Sequence, residues 1–184
     1  MRIRSKALLC LAACIAPALA TAQQPIADFV GRPAYGTAKI SPDGRYLAMT
    51  VDKGEQDVLV VLRTADMGPI KINQLPDKKS IGDFHWVSGE RLMFTAIKKM
   101  GGYAQPFSTG EWFAVNADGS QPRPLVFYGT RDATQASKAV GNERYSLVDT
   151  LRNDDQYVIM EATSARSSEG VGTELVKMDV LNGR

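Results

Sequence analysis

A chain of 184 residues, 44% hydrophobic and 23% charged, has the composition of one globular domain or part of a larger one, which excludes a disordered or fibrous protein. Its formal charge of +2 falls to about −1 once residues 1–22 are set aside, because Arg2, Arg4 and Lys6 leave with no carboxylate. No basic face then remains for nucleic acid, which needs clustered Lys and Arg with stacking aromatics, and the Lys78-Lys79 and Lys98-Lys99 pairs read as solvated loop ends.

Residues 1–22 form a secretory signal peptide: the cations at 2, 4 and 6, an apolar stretch over Ala7 to Ala20, and small residues for cleavage at Ala20-Thr21-Ala22. The stretch is too short and Ala-rich for a membrane span, and no later run reaches about 20 apolar residues. The protein is therefore expected in the periplasm or secreted. Both cysteines, Cys10 and Cys14, lie in this segment, so a chain starting near Gln23 has no thiol for a disulfide or a metal. Leu11-Ala12-Ala13-Cys14 also resembles a lipobox, in which Cys14 would carry a lipid anchor. The apolar run continues past Cys14, however, and the export pattern is complete at Ala22, which favours cleavage there.

Residues 23–37 read as an N-terminal extension in which Ile26, Phe29 and Val30 make a short helical turn, stopped by Gly31 and Pro33. Repeats follow over 38–184, in blades near 38–76, 80–128 and 140–184. The first unit has strands around Lys39-Ile40, at Tyr46 to Val51, at Val58 to Arg63 and at Ile70 to Leu75. The second has Ile81 to Val87, Leu92 to Ile97, a long loop over Lys98 to Thr109, Trp112 to Asn116 and Pro124 to Phe127. The third has Tyr145 to Leu151, Tyr157 to Ala162, a polar loop over Thr163 to Gly172 and Glu174 to Val180; its outer strand is missing after the turn-like Leu181-Asn182-Gly183-Arg184.

Each unit pivots on a turn near residues 43, 88 and 153. In the first, Pro42 presets φ, the Asp43 carboxylate can bond its own backbone, and Gly44 takes the positive φ that reverses the chain. The strand after it is apolar on both faces, as are Val58 to Leu62 and Tyr157 to Met160. A sandwich would alternate inside and outside; repeated four-stranded antiparallel units with two apolar faces predict an all-β, incomplete β-propeller of about three blades.

The run Pro25-Ile26-Ala27-Asp28-Phe29, Arg32-Pro33 and Ile40-Ser41-Pro42-Asp43-Gly44-Arg45-Tyr46-Leu47-Ala48, with the blade endings Val115 to Gly119 and Met178 to Gly183, resembles the start of exported serine peptidases of the prolyl oligopeptidase family, of dipeptidyl-peptidase and acylaminoacyl-peptidase type. The Ser-Pro-Asp-Gly turn by itself also occurs in other propellers, among them that of the Tol system. The resemblance implies a propeller of roughly seven blades, within the usual 4 to 8. It further implies a C-terminal α/β-hydrolase domain with a Ser, Asp and His triad as the partner of the propeller, and short peptides as ligands.

This chain departs from that pattern where the chemistry lies. It has no G-x-S-x-G to hold a nucleophilic serine, and spacing nominates neither a nucleophile nor an orienting carboxylate for its one histidine, His85. No catalytic, cofactor-binding or metal residue is assigned, and no cofactor is expected. Asp149, Asp154 and Asp155 have turn spacing and not that of a calcium loop. Gly101-Gly102-Tyr103 lacks the strand-to-helix setting of a phosphate loop. Trp86, Trp112 and Phe113 read as packing between blades more than as a stacking platform. The expectation is the N-terminal propeller portion of such a peptidase, inactive by itself; the alternative is a stand-alone exported module binding a protein or peptide. Either way its open ends, with Tyr157 to Met160, Leu175 and Val176 uncovered, are expected to promote self-association.

Overall fold

The computed structural model describes residues 34–100, 105–128, 143–167 and 170–183. The signal-peptide reading of 1–22 with Cys14, the helical turn at Pro25 to Val30 and the Gly101-Gly102-Tyr103 loop lie outside these residues. The described residues form eleven strands in three antiparallel sheets. The first holds β1 (Tyr35–Ile40), β2 (Tyr46–Asp52), β3 (Asp57–Arg63) and β4 (Pro69–Asn73) in sequential order. The second holds β5 (Ser80–Trp86), β6 (Arg91–Lys98), β7 (Phe107–Asn116) and β8 (Arg123–Val126) in the same order. The third has three strands, β9 (Glu143–Asp149), β10 (Tyr157–Ser167) and β11 (Gly170–Asp179), with β10 in the middle and β11 at an edge. The architecture is all-β and propeller-like, and the third sheet carries one strand fewer than the others.

Period-two alternation explains the stacking, since successive side chains on a strand point to opposite faces. On β6, Leu92, Phe94 and Ala96 pack against Ala48, Leu59 and Val61 of the first sheet. Met93 on the same strand, with Trp112 and Ala114 of β7, packs against Val158, Met160 and Ala162 of the third. The second sheet is thus buried on both faces, as its two-sided apolar sequence demands. Burying side chains of this size stabilises the stack by about 1.5–3 kcal/mol each.

Several expectations change. β1 begins at Tyr35, inside the span read as extension. Of the polar segment read as a loop at Thr163 to Gly172, the described residues 163–167 and 170–172 are instead strand, paired as far as Ser167↔Gly170; backbone pairing between neighbouring strands does not need apolar side chains when the strands are already aligned. Phe107 to Gly110 likewise joins β7. Val158 and Met160, expected to be uncovered, are fully buried against the second sheet, and Val176 packs beside them. Leu175, on the opposite face, is 68% exposed.

Candidate functional site

The first turn of each sheet opens on a common cleft of about 450 Å³, lined by Pro42, Asp43 and Arg45, by Ser88, Gly89 and Glu90, and by Asp155. The Ser41 to Gly44 turn is built around one carboxylate. Gly44 N donates to Ser41 O at 2.9 Å, with Gly44 at φ 75°, a conformation that costs glycine no steric penalty. Asp43 accepts from the Ser41 hydroxyl at 2.6 Å, from Arg45 N at 3.1 Å and from Arg45 Nε at 2.5 Å. The Ser41 hydroxyl in turn accepts from Tyr46 N at 3.0 Å.

Those donors favour the ionised form. The Ser41 hydrogen bond, with Arg45 adding to it against a smaller opposing effect of burial, lowers Asp43 from 3.8 to about 2. Arg45 also donates through Nη2 to Glu90 Oε1 at 2.9 Å, and the pair of carboxylates raises its pKa. The turn of the second sheet lies so close that a Cβ at Gly89 would collide with the Asp43 carboxylate. Asp43, Arg45 and Glu90 therefore form a charged clasp between two sheets at the cleft rim. With Asp155 the rim holds more carboxylates than cations, a surface suited to electrostatic contact with a cationic group and without any group activated for nucleophilic attack.

His85 lies away from this cleft, on β5. Its Nε2 pairs with Asp83 Oδ2 at 2.9 Å, and Asp83 Oδ1 accepts from Lys39 Nζ of the first sheet at 2.9 Å. Lys39 also bonds Phe84 O. Burial and then the Lys39 charge lower the His85 pKa, with Asp83 opposing, so the imidazole is neutral at pH 7. The geometry is that of a junction between sheets.

The aromatic candidates sit in the packing. Trp86 stacks on Tyr46 at 6.2 Å and donates Nε1–H to Lys39 O at 2.9 Å. Trp112 donates to Tyr145 O of the third sheet at 3.0 Å. Phe113 stacks on Phe94 at 5.8 Å. Asp154 and Asp149 cap turns, accepting backbone N–H groups from Gln156 and Tyr157 and from Leu151 respectively. Among the described residues no His, Cys, Asp and Glu side chains group as a metal site, and no helix is long and apolar enough to cross a membrane.

Lys78 and Lys98 are exposed, as expected of loop ends, but sequence reasoning misplaced their neighbours. Lys79 is part-buried against Glu111 at 2.8 Å, with 13% and 5% of the two side chains exposed. Lys99, 11% exposed, reaches Asp57 at 2.6 Å and Asp52 at 3.3 Å on the first sheet. It also missed Arg91, which is 2% exposed and donates to Val180 O of the third sheet through Nε and Nη2, and to Asn116 Oδ1 and Gln121 O through Nη1. The available signal was an arginine close to the start of the second strand in two units, Arg45 just before β2 and Arg91 opening β6, each reaching into the following sheet.

No family model and no curated protein matches the sequence. Among solved structures, a protein of Clostridium novyi NT assigned as a conserved lipoprotein is similar in fold, with a TM-score of 0.51 and 14% identity over 80% of this chain and 88% of that one. Hsv2 of Kluyveromyces lactis matches with a TM-score of 0.39 and 10% identity over 79% of this chain and 47% of its own. The AtxE2 isopeptidase matches with a TM-score of 0.35 and 15% identity over 80% of this chain and 27% of its own. The chain spans less than half of the last two. The likeness to the first is one of fold.

Proposed function

We propose that this chain supplies the first blades of an exported, prolyl-oligopeptidase-like serine peptidase, a scaffold that restricts access and leaves hydrolysis to an α/β-hydrolase domain. The observation that carries the reading is the double role of the Ser41 to Gly44 turn. The motif behind the sequence resemblance is also the piece that fastens the first sheet to the second through Arg45 and Glu90, so its residues serve a blade stack, as the propeller part of such an enzyme requires. The engagement of His85 with Asp83, and of the Ser41 hydroxyl within its own turn, supports a scaffold role over a catalytic one. Export rests on the pattern of residues 1–22, and N-terminal sequencing of the processed chain is expected to start at Gln23; a lipidated Cys14 at the terminus would contradict that cleavage.

The test is the coding sequence after the codon for Arg184. A continuation, in frame or frameshifted, that encodes further blades and a G-x-S-x-G is expected, and a clean stop in related strains would overturn the reading. One observation favours a second reading, a stand-alone module binding a protein or peptide: the shared fold spans 88% of the Clostridium novyi chain, so a stack of about this extent occurs as a chain of its own. The anionic cleft at the turns would then be the place to look for a ligand.

A further inference from the structure

We infer that Asn182-Gly183 is a site of spontaneous covalent modification, deamidation through a cyclic imide, which the Asp179 carboxylate gates and whose product loosens the junction of the second sheet with the third. The sequence holds one Asn-Gly pair, at 182 and 183. In the reaction the Gly183 backbone nitrogen attacks Asn182 Cγ. A new C–N bond forms as the Cγ–Nδ2 bond breaks, and the amide nitrogen leaves as ammonia with the proton that the Gly183 nitrogen gives up. Water then opens the imide at either carbonyl, leaving aspartate or isoaspartate. Glycine favours the attack because no Cβ hinders the approach of its nitrogen.

In the folded chain both reacting groups are tied up. The Gly183 N–H donates to Asp179 O at 2.7 Å, closing a turn in which Gly183 takes φ 71°. Asn182 Nδ2 donates to Asp179 Oδ2 at 2.9 Å, and Asn182 N to Asp179 Oδ1 at 3.0 Å. Attack requires the Gly183 nitrogen to lose its proton and the Asn182 side chain to swing onto it, and each movement breaks one of these bonds. Asp179 is itself fixed, being 7% exposed and held by Gln156 Nε2 and by Leu181 N, each at 2.8 Å. Burial pushes its pKa up, but the donors from Asn182, Gln156 and Leu181 outweigh burial and hold it low, so the carboxylate is ionised at neutral pH. Asn182 is exposed, within reach of the water that opens the imide. The reaction therefore runs through the fraction of molecules in which this turn has opened.

The product does not fit back. An aspartate at 182 sets a carboxylate oxygen where Nδ2 donated, against the ionised Asp179, and two carboxylates at that separation resist being charged together. Isoaspartate adds a methylene to the main chain within the turn. Val180, the residue after Asp179, supplies the carbonyl that accepts from both Nε and Nη2 of the buried Arg91. Displacing the turn is thus passed to the contact between the second sheet and the third, and loss of ammonia makes the change one-way. This goes beyond the proposed function and does not depend on it.

Peptide mapping tests the inference. The purified chain is aged in mildly alkaline buffer over a series of urea concentrations, and trypsin then releases Met178 to Arg184 after Lys177, in which mass spectrometry reads the conversion of amide to acid. Conversion at Asn182 should be at least about tenfold slower in the folded chain than in the unfolded one. Below the unfolding transition its rate should stay flat with urea, because opening one turn exposes little surface. Asp179→Ala should raise the rate in buffer without urea. For the product, Asn182→Asp should lower the urea midpoint, and Asp179→Asn/Asn182→Asp, which again sets an amide against a carboxylate, should recover much of the loss. Equal rates in folded and unfolded chains, a rate that climbs with urea below the transition, an Asp179→Ala rate no higher than that of wild type, or a double variant no more stable than Asn182→Asp would overturn the inference.

Discussion

At the scale of residues, a few side chains that touch two sheets at once hold this molecule in order. Arg91 is the most exacting, because its guanidinium is buried and every donor it directs at Val180, Asn116 and Gln121 would otherwise be stranded. Arg91→Ala removes the donors and leaves the Val180 carbonyl without them, which should cost about 3 kcal/mol, read as a lower urea midpoint; a change within about 0.5 kcal/mol would contradict the role assigned to it. Asp43 provides a pH test. Its folded pKa, about 2, lies below its ordinary 3.8, so its contribution is fully present above 3.8 and is lost as pH falls through about 2. The gap in urea midpoint between wild type and Asp43→Asn should therefore be constant at neutral pH and shrink below pH about 4. A gap that widened there would show the sign to be wrong.

The strand elements were the most legible part of the sequence, for a physical reason. Turn chemistry at Pro42, Asp43 and Gly44 and two-sided apolar strands such as Val58 to Leu62 are local signals, and both the strands and their grouping into sheets follow from them. What was not legible depends on contacts distant in sequence. The Lys79–Glu111 pair joins residues 32 apart, and Lys99 meets Asp57 across 42, so nothing nearby marks these lysines as buried. The strand pairing over residues 163–167 and 170–172 was hidden because the sequence there is polar while its order comes from backbone pairing. The cleft was invisible as a site for the same reason, since it exists only where three turns far apart in sequence meet. Lys79→Met leaves Glu111 as a buried, unpaired carboxylate and should destabilise by about 3–5 kcal/mol, with Lys79→Met/Glu111→Leu recovering much of the loss. A double variant no better than the single one, measured by the same urea titration, would mean that the pair does not act as a unit.

At the scale of the whole molecule, the described residues form a stack of sheets whose middle member is covered on both faces. Because no nucleophile is activated among the described residues, the purified chain should not turn over chromogenic dipeptide or acyl-peptide substrates above buffer. Turnover that survived purification and vanished in His85→Ala would contradict this. The stacking itself is tested most directly by native-state hydrogen exchange, which ranks elements by how deeply they are buried and paired. Amides from Leu92 to Phe94 of β6 and from Trp112 to Ala114 of β7, in strands paired on both sides within a sheet covered on both faces, should exchange slowest. Those of the edge strands β4 and β11 should exchange fastest among the strands. Protection spread evenly over the three sheets, or greatest in β11, would contradict the arrangement described here.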